Sequence, residues 1–170
     1  LLKPKKGNFM SDFPTPNFST DLSGDVAFIT GTTSGLGKRF AKVLAKCGAK
    51  VVVTGRRMER LNELVDEITK DGGSALAIQM DMTDREDIRA AVAKAEEEVG
   101  PISILVNNAG IPDAQWAIKM SDELIDSVFD TNLTGPWFLS LEVAKRMVAH
   151  KIKGRMVNIA SVAAFTTTGQ

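Results

Sequence analysis

Thr30-Gly31-Thr32-Thr33-Ser34-Gly35-Leu36-Gly37 follows an apolar run, Val26-Ala27-Phe28-Ile29, and leads directly into a helical pattern. Glycines at a strand-to-helix turn let the backbone approach a bulky group, because no Cβ stands in the way. Amides at the helix start then point at that group, and the helix dipole favours an anion there. The stretch reads as a pyrophosphate site at the first βα turn of an α/β domain. Two other phosphate loops do not fit. A Walker A loop needs Gly-x-x-x-x-Gly-Lys-Ser/Thr. Here Gly31 and Gly37-Lys38 are one residue too far apart, and Arg39 replaces the hydroxyl. Gly-x-Gly-x-x-Gly fails as well, since the spacing is Gly-x-x-x-Gly-x-Gly. Taken alone, the glycines are also compatible with a turn that merely packs a helix on a sheet.

Outward from this stretch, strand and helix patterns alternate. Val26–Thr30, Val51–Val53, Ala75–Met80, Ile102–Val106 and Met156–Ile159 are short apolar runs, as expected of strands buried on both faces. Between them, Leu36, Phe40, Val43, Leu44 and Cys47 recur at helical spacing, then Leu61, Leu64, Val65 and Ile68, then Ile88, Val92, Ala95 and Val99. Thr83 or Asp84 caps the third helix. Ser121 opens a long helical region carrying Leu124, Ile125, Val128, Phe129, Leu133, Phe138, Leu141 and Met147. Gly135-Pro136 is predicted to bend or interrupt it. Such alternation with short connections predicts a parallel, doubly wound α/β sheet.

Residues 24–170 form that domain, and residues 1–23 read as a flexible arm with Pro4, Pro14, Pro16 and no periodic apolar face. No apolar segment follows Lys3, Lys5 and Lys6, which argues against a secretory signal. The first methionine is Met10, and the reading places the natural start there. Formal net charge is zero, so no basic excess favours nucleic acid. No apolar segment reaches the roughly 20 residues that span a bilayer. The one cysteine, Cys47, fits a reducing, cytoplasmic setting. With one histidine, His150, beside it, a metal site is not expected. Cys47 reads as a buried helix residue and His150 as a surface residue at a helix end.

In a doubly wound sheet, ligands bind outside the carboxyl ends of the strands. Those ends carry Thr30–Gly37, Thr54–Arg57, Asp81-Met82, Asn107–Gly110 and Ala160-Ser161. They hold most of the small polar residues and glycines that fit no core pattern.

Thr30-Gly31-x-x-x-Gly35-x-Gly37, Asp81 after the third strand, Asn107-Asn108-Ala109-Gly110 after the fourth, Asn132 in the following helix and Ser161 after the fifth stand in one order. On these motifs the sequence resembles the short-chain dehydrogenase/reductase family from Gly24 to its end. The resemblance implies a Rossmann-like fold and an oxidoreductase that passes hydride between a nicotinamide cofactor and a carbonyl or secondary alcohol. Gly31, Thr33, Ser34, Gly35, Leu36 and Gly37 would wrap the adenine-ribose and pyrophosphate side. Asp81 would bond the adenine amino group, with Met82 contributing backbone. Asn108, Ala109 and Gly110 would lie along the cofactor, and Asn107 would brace the central strand.

Gly55-Arg56-Arg57 follows the second strand, where an acidic residue would favour NAD. A guanidinium fork grips a phosphate, so Arg56 points to NADP, with NAD the alternative. Ser34 stands where many NADP-preferring relatives carry a basic residue. Ser161 would bond the substrate oxygen and Asn132 would hold a proton-relay water. The family's Tyr-x-x-x-Lys is not found, and the 170 residues contain no tyrosine. The reading is a chain truncated before that motif and inactive by itself, its parent a homotetramer or homodimer. A non-catalytic dinucleotide-binding fragment, or an inactive partner subunit, is the other reading. Substrates of the 3-oxoacyl reductase or sugar and polyol dehydrogenase kinds both fit. Trp116, Trp137 and Ile111 are candidates for the pocket border, with core packing favoured for Trp137.

Overall fold

A computed structural model describes residues 19–112 and 115–162. Its centre is a five-stranded sheet built from β1 (Val26–Ile29), β2 (Lys50–Gly55), β3 (Ser74–Gln79), β4 (Ile104–Asn107) and β5 (Arg155–Asn158). The strand order is β3-β2-β1-β4-β5, with every pairing parallel. Helices α1 (Gly35–Lys46), α2 (Met58–Lys70), α3 (Arg85–Glu98), α4 (Asp122–Phe129) and α5 (Gly135–Ala149) connect the strands. The sheet is parallel and doubly wound, as the alternating pattern predicts.

Side chains leave a strand alternately to its two faces, and this sheet buries both. Ala27, Ile29, Val51, Val53, Ile104 and Val106 pack with Ala41 and Ala45 of α1 and Leu61, Leu64 and Ile68 of α2. Phe28, Val52, Ile78 and Leu105 pack on the other side with Ile88 and Val92 of α3 and Leu139 and Val143 of α5. Strands buried on both faces need near-continuous apolar runs, which is why these segments are so readable. Asp84 caps α3, its carboxylate accepting from the amides of Glu86 and Asp87. Ion pairs tie neighbouring helices. Lys38 and Lys42 of α1 reach Glu67 of α2 at 2.6 and 3.2 Å. Arg146 of α5 meets Glu96 of α3 at 2.5 Å. The hydrogen bonds from Lys38 and then Lys42 hold the Glu67 carboxyl below its usual range.

Several details depart from the sequence expectation. The buried face of α1 is Gly37, Ala41 and Ala45, with Phe40 and Leu44 beside it. Leu36 is 61% exposed and Val43 41% exposed. The small side chains face the sheet because they let the helix lie close to it. Cys47 caps that helix half-buried.

The long helical region is not broken at Gly135-Pro136. It runs on through a π-helical turn, Asp130–Thr134, into α5, with Pro136 in the first turn of α5. Pro136 follows directly on the π turn, where the α-helical hydrogen-bond ladder is already interrupted, so its missing amide costs little there. Phe129, Leu133, Trp137 and Leu141 of this region form an exposed apolar ridge. Trp137, at 71% exposure, is therefore not a core residue. At the other end, Leu22 packs against the core and its amide donates to the Cys47 carbonyl at 2.7 Å. The first 18 residues of the arm lie outside the described residues.

Candidate active site

The strand order reverses direction between β1 and β4, the switch point beside which open α/β sheets bind their ligands. The first turn is locked onto β4 through Thr30. Its buried hydroxyl accepts from the amides of Asn108 at 3.0 Å and Ala109 at 2.9 Å. Asn108 answers with Nδ2, donating to the carbonyls of Thr30 at 3.0 Å and Gly31 at 3.2 Å. Gly31 has φ of 69°, and a Cβ there would stand 2.8 Å from the Ala109 Cα. Gly37 is just as confined, since a Cβ would stand 2.5 Å from Asn108 Nδ2. The glycine turn and the Asn-Asn-Ala-Gly turn are thus one interlocked unit.

Beside that unit lies a cleft of about 510 Å³. It gathers Gly31, Thr33 and Ser34 from the first turn, Arg56 and Arg57 from the end of β2, Asp81 and Met82 from the end of β3, and Asn108–Gly110. Gly35, Leu36 and Gly37 do not line it. Gly37 is buried against Gly31 and Asn108, so its place in the motif is a packing one, and Leu36 faces outward. Arg57 reaches across the mouth, Nη2 donating to Thr33 Oγ1 at 2.8 Å. Gln79 Nε2 donates to the Arg56 carbonyl at 3.1 Å and steadies the same loop. Asp81 is tied into a turn, Oδ1 accepting from the Thr83 amide and hydroxyl, both at 2.9 Å. Thr54 lines the cleft with the rest of its strand-end stretch, and Met80 and Thr131, which carry no sequence signal, line it too. Hydropathy placed Met80 in a strand and gave no reason to look further.

A second cavity of about 520 Å³ lies on the far side of Asn108-Ala109-Gly110. It brings Asn132 and Ser161 together with Asn107, Ser140 and Asn158, under apolar walls of Leu133, Pro136, Trp137 and Ile159. The π turn presents Asn132 to the loop after β4. Its Oδ1 accepts from the Ile111 amide at 2.8 Å, and its Nδ2 donates to the Ile111 carbonyl at 2.9 Å. A π turn inserts one residue into a helix and is frequent at functional sites. The helical periodicity alone does not reveal it. Ile111 borders the first cleft and Trp137 the second, whereas Trp116 lines neither. Among the described residues no cluster of histidine, cysteine and carboxylates could hold a metal. No helix there is long and apolar enough to cross a membrane.

The motif-bearing strand ends thus surround one glycine turn locked to one Asn-Asn-Ala-Gly turn, with a cavity on either side of the latter. The sequence profile described as short chain dehydrogenase matches residues 25–170. The chain belongs to the short-chain dehydrogenase family. It is 37% identical over 143 residues to the 2-dehydro-3-deoxy-D-gluconate 5-dehydrogenase of Formosa agariphila, covering 84% of this chain and 54% of that enzyme. It is 36% identical over 146 residues to the 3-oxoacyl-[acyl-carrier-protein] reductase of Aquifex aeolicus, covering 85% and 58%. A variant of the actinorhodin polyketide ketoreductase, solved with NADPH, superposes with a TM-score of 0.80 at 38% identity, covering 84% of this chain and 55% of that one. The chain spans a little over half the length of the relatives it matches.

Proposed function

We infer that this short-chain dehydrogenase chain carries the cofactor-binding portion of an NADP-dependent oxidoreductase acting on a carbonyl or secondary alcohol. The supporting observation is the paired cavity. Two guanidinium groups, Arg56 and Arg57, stand at one end, and Asn132 and Ser161 stand at the other, with Asn108-Ala109-Gly110 between them. An extended dinucleotide matches this layout. Arg56 and Arg57 would take a ribose 2′-phosphate, since planar guanidinium groups bond phosphate oxygens in pairs. Gly31, Thr33 and Ser34 would receive the pyrophosphate near the start of α1, where the helix dipole favours negative charge. Asp81 would hold the adenine amino group, its Oδ2 having no partner among the described residues.

Asn108, Ala109 and Gly110 would hold the nicotinamide end of the cofactor, whose chemistry is hydride transfer to or from the substrate carbon. On this chain Ser161 would bond the substrate oxygen, and Asn132 would fix the Ile111 loop and the water that relays a proton. The general acid of the family is a tyrosine, and these 170 residues have none. A positioned general acid contributes about 10²–10⁴ in rate, so the chain by itself is expected to bind cofactor without turnover. The polar floor and apolar walls of the second cavity suit a 3-oxoacyl thioester or a sugar-derived ketone, the substrate kinds of the two relatives. For the whole protein, the ridge of Phe129, Leu133, Trp137 and Leu141 supports a homodimer or homotetramer.

Fluorescence titration with NADPH and NADH tests the cofactor assignment. The Arg56→Ala variant is expected to lose about tenfold or more in NADPH affinity, one charge-assisted contact, while NADH binding stays as in the wild type. Equal losses for both cofactors would refute the 2′-phosphate role.

A further inference from the structure

The polar residues at the floor of the second cavity are not all accounted for by the proposed chemistry. Asn107 ends β4 at 4% exposure, and it spends both hydrogens of its side-chain amide on neighbours. Nδ2 donates to Ser140 Oγ on α5 at 2.8 Å and to Asn158 Oδ1 on β5 at 2.8 Å. Asn107 and Asn158 are register partners in the parallel ladder, and the Ile159 amide donates to the Asn107 carbonyl at 2.9 Å. Oδ1 of Asn107 is buried and has no hydrogen-bond partner among the described residues. An unmade buried hydrogen bond is unfavourable, so an amide held in this orientation is held by its other two bonds.

What those bonds fix is the end of β5. All four residues of β5 are exposed in this chain, so its end is held here by the ladder and by these side-chain bonds. Ser161 follows the strand end by three residues. Asn132 and Ser140 stand on the same continuous helical region, one in the π turn and one on α5.

We propose that Ser140 and Asn158 are positioning residues: through the Asn107 amide they clasp the end of β5 to α5 and thereby set Ser161 across the cavity from Asn132. The clasp makes a single helix the reference for both residues. The catalytic meaning of the clasp rests on the reading of Ser161 and Asn132 given above, but the clasp can be tested without it.

The test is amide NMR and hydrogen exchange on the 170-residue chain, comparing wild type, Ser140→Ala and Ser140→Thr. Loss of one buried hydrogen bond is expected to raise exchange at Ile159 about 5- to 10-fold. The Ser161 amide and the Asn107 side-chain amide are expected to shift, while Gly31–Ser34 stay in place. Threonine keeps the hydroxyl and is expected to restore all three signals. If Ser140→Ala moves only Asn107 and leaves Ile159 and Ser161 as in the wild type, the clasp braces β4 alone and the proposal fails. If threonine does not restore the signals, the hydroxyl is not the agent and the proposal fails as well. Failure of the cofactor reading would show separately, as absent NADPH binding in the wild type.

Discussion

Replacing Gly37 by alanine pits helix propensity against packing, and the structure says which wins. Gly37 lies inside α1, where alanine is the better helix former by about 1 kcal/mol. Its φ is not in the left-handed region, so propensity alone predicts a more stable protein. The added Cβ, however, would stand 2.5 Å from Asn108 Nδ2 and 2.9 Å from the Gly31 carbonyl carbon, and would overlap the Gly31 oxygen. Backbone atoms cannot rotate away as a side-chain tip can. Overpacking of this kind costs about 1–3 kcal/mol. Displacing Asn108 also weakens its two hydrogen bonds to the first turn, each worth about 1 kcal/mol. Set against the propensity gain, the expected loss is about 2 kcal/mol or more, a fall of roughly 1 M in the urea midpoint. Urea unfolding followed by tryptophan fluorescence measures it. NADPH affinity should fall too, because Gly31 and Asn108 border the cleft. A midpoint equal to or above the wild type would show that α1 accepts the Cβ without displacing Gly31 or Asn108.

Gly135 makes a parallel case on the other side of the sheet. A Cβ there would overlap the Met82 carbonyl and stand 3.0 Å from the Asp130 carbonyl, so Gly135→Ala should lower the melting temperature by about 4–8 °C; an unchanged melting temperature would show that α5 can move aside. Glu67 titrates below its usual range in the folded chain because Lys38 and Lys42 donate to it. Its contribution to stability is therefore complete above the ordinary glutamate pKa and is lost as pH falls through the lowered folded value. Glu67→Gln should flatten that part of the acid stability profile, and an unaltered slope in urea midpoints would contradict the linkage.

The elements that sequence reveals best here are those whose burial is two-sided. Val51-Val52-Val53 and Ile104-Leu105-Val106 have no exposed face, so hydropathy alone marks them. The buried face of α1 was harder to read, because Gly37, Ala41 and Ala45 carry little apolar weight beside the outward Leu36 and Val43. Trp137 shows the same limit from the other side. Its hydropathy suggests a core, yet it walls a cavity.

The site was readable where backbone geometry restricts residue type, as at Gly31, Asn108 and Thr30. It was unreadable where a role depends on long-range pairing. Ser140 looks like any helix serine, and Asn158 like any strand-end asparagine, until β4, β5 and α5 bring them together. The π turn leaves no periodic trace. Only Asn132, matched to the family, marked its position.

A nicotinamide dinucleotide is proposed to lie along the strand ends from Arg56 to Gly110. Titrating the isotope-labelled chain with NADPH and mapping the amide shifts tests it most directly. Saturable shifts are expected at Gly31–Ser34, Gly55–Arg57, Asp81-Met82 and Asn108–Gly110, with the α2–β3 turn at Gly72-Gly73 unmoved. Shifts confined to other surfaces, or none at saturating cofactor, would contradict it.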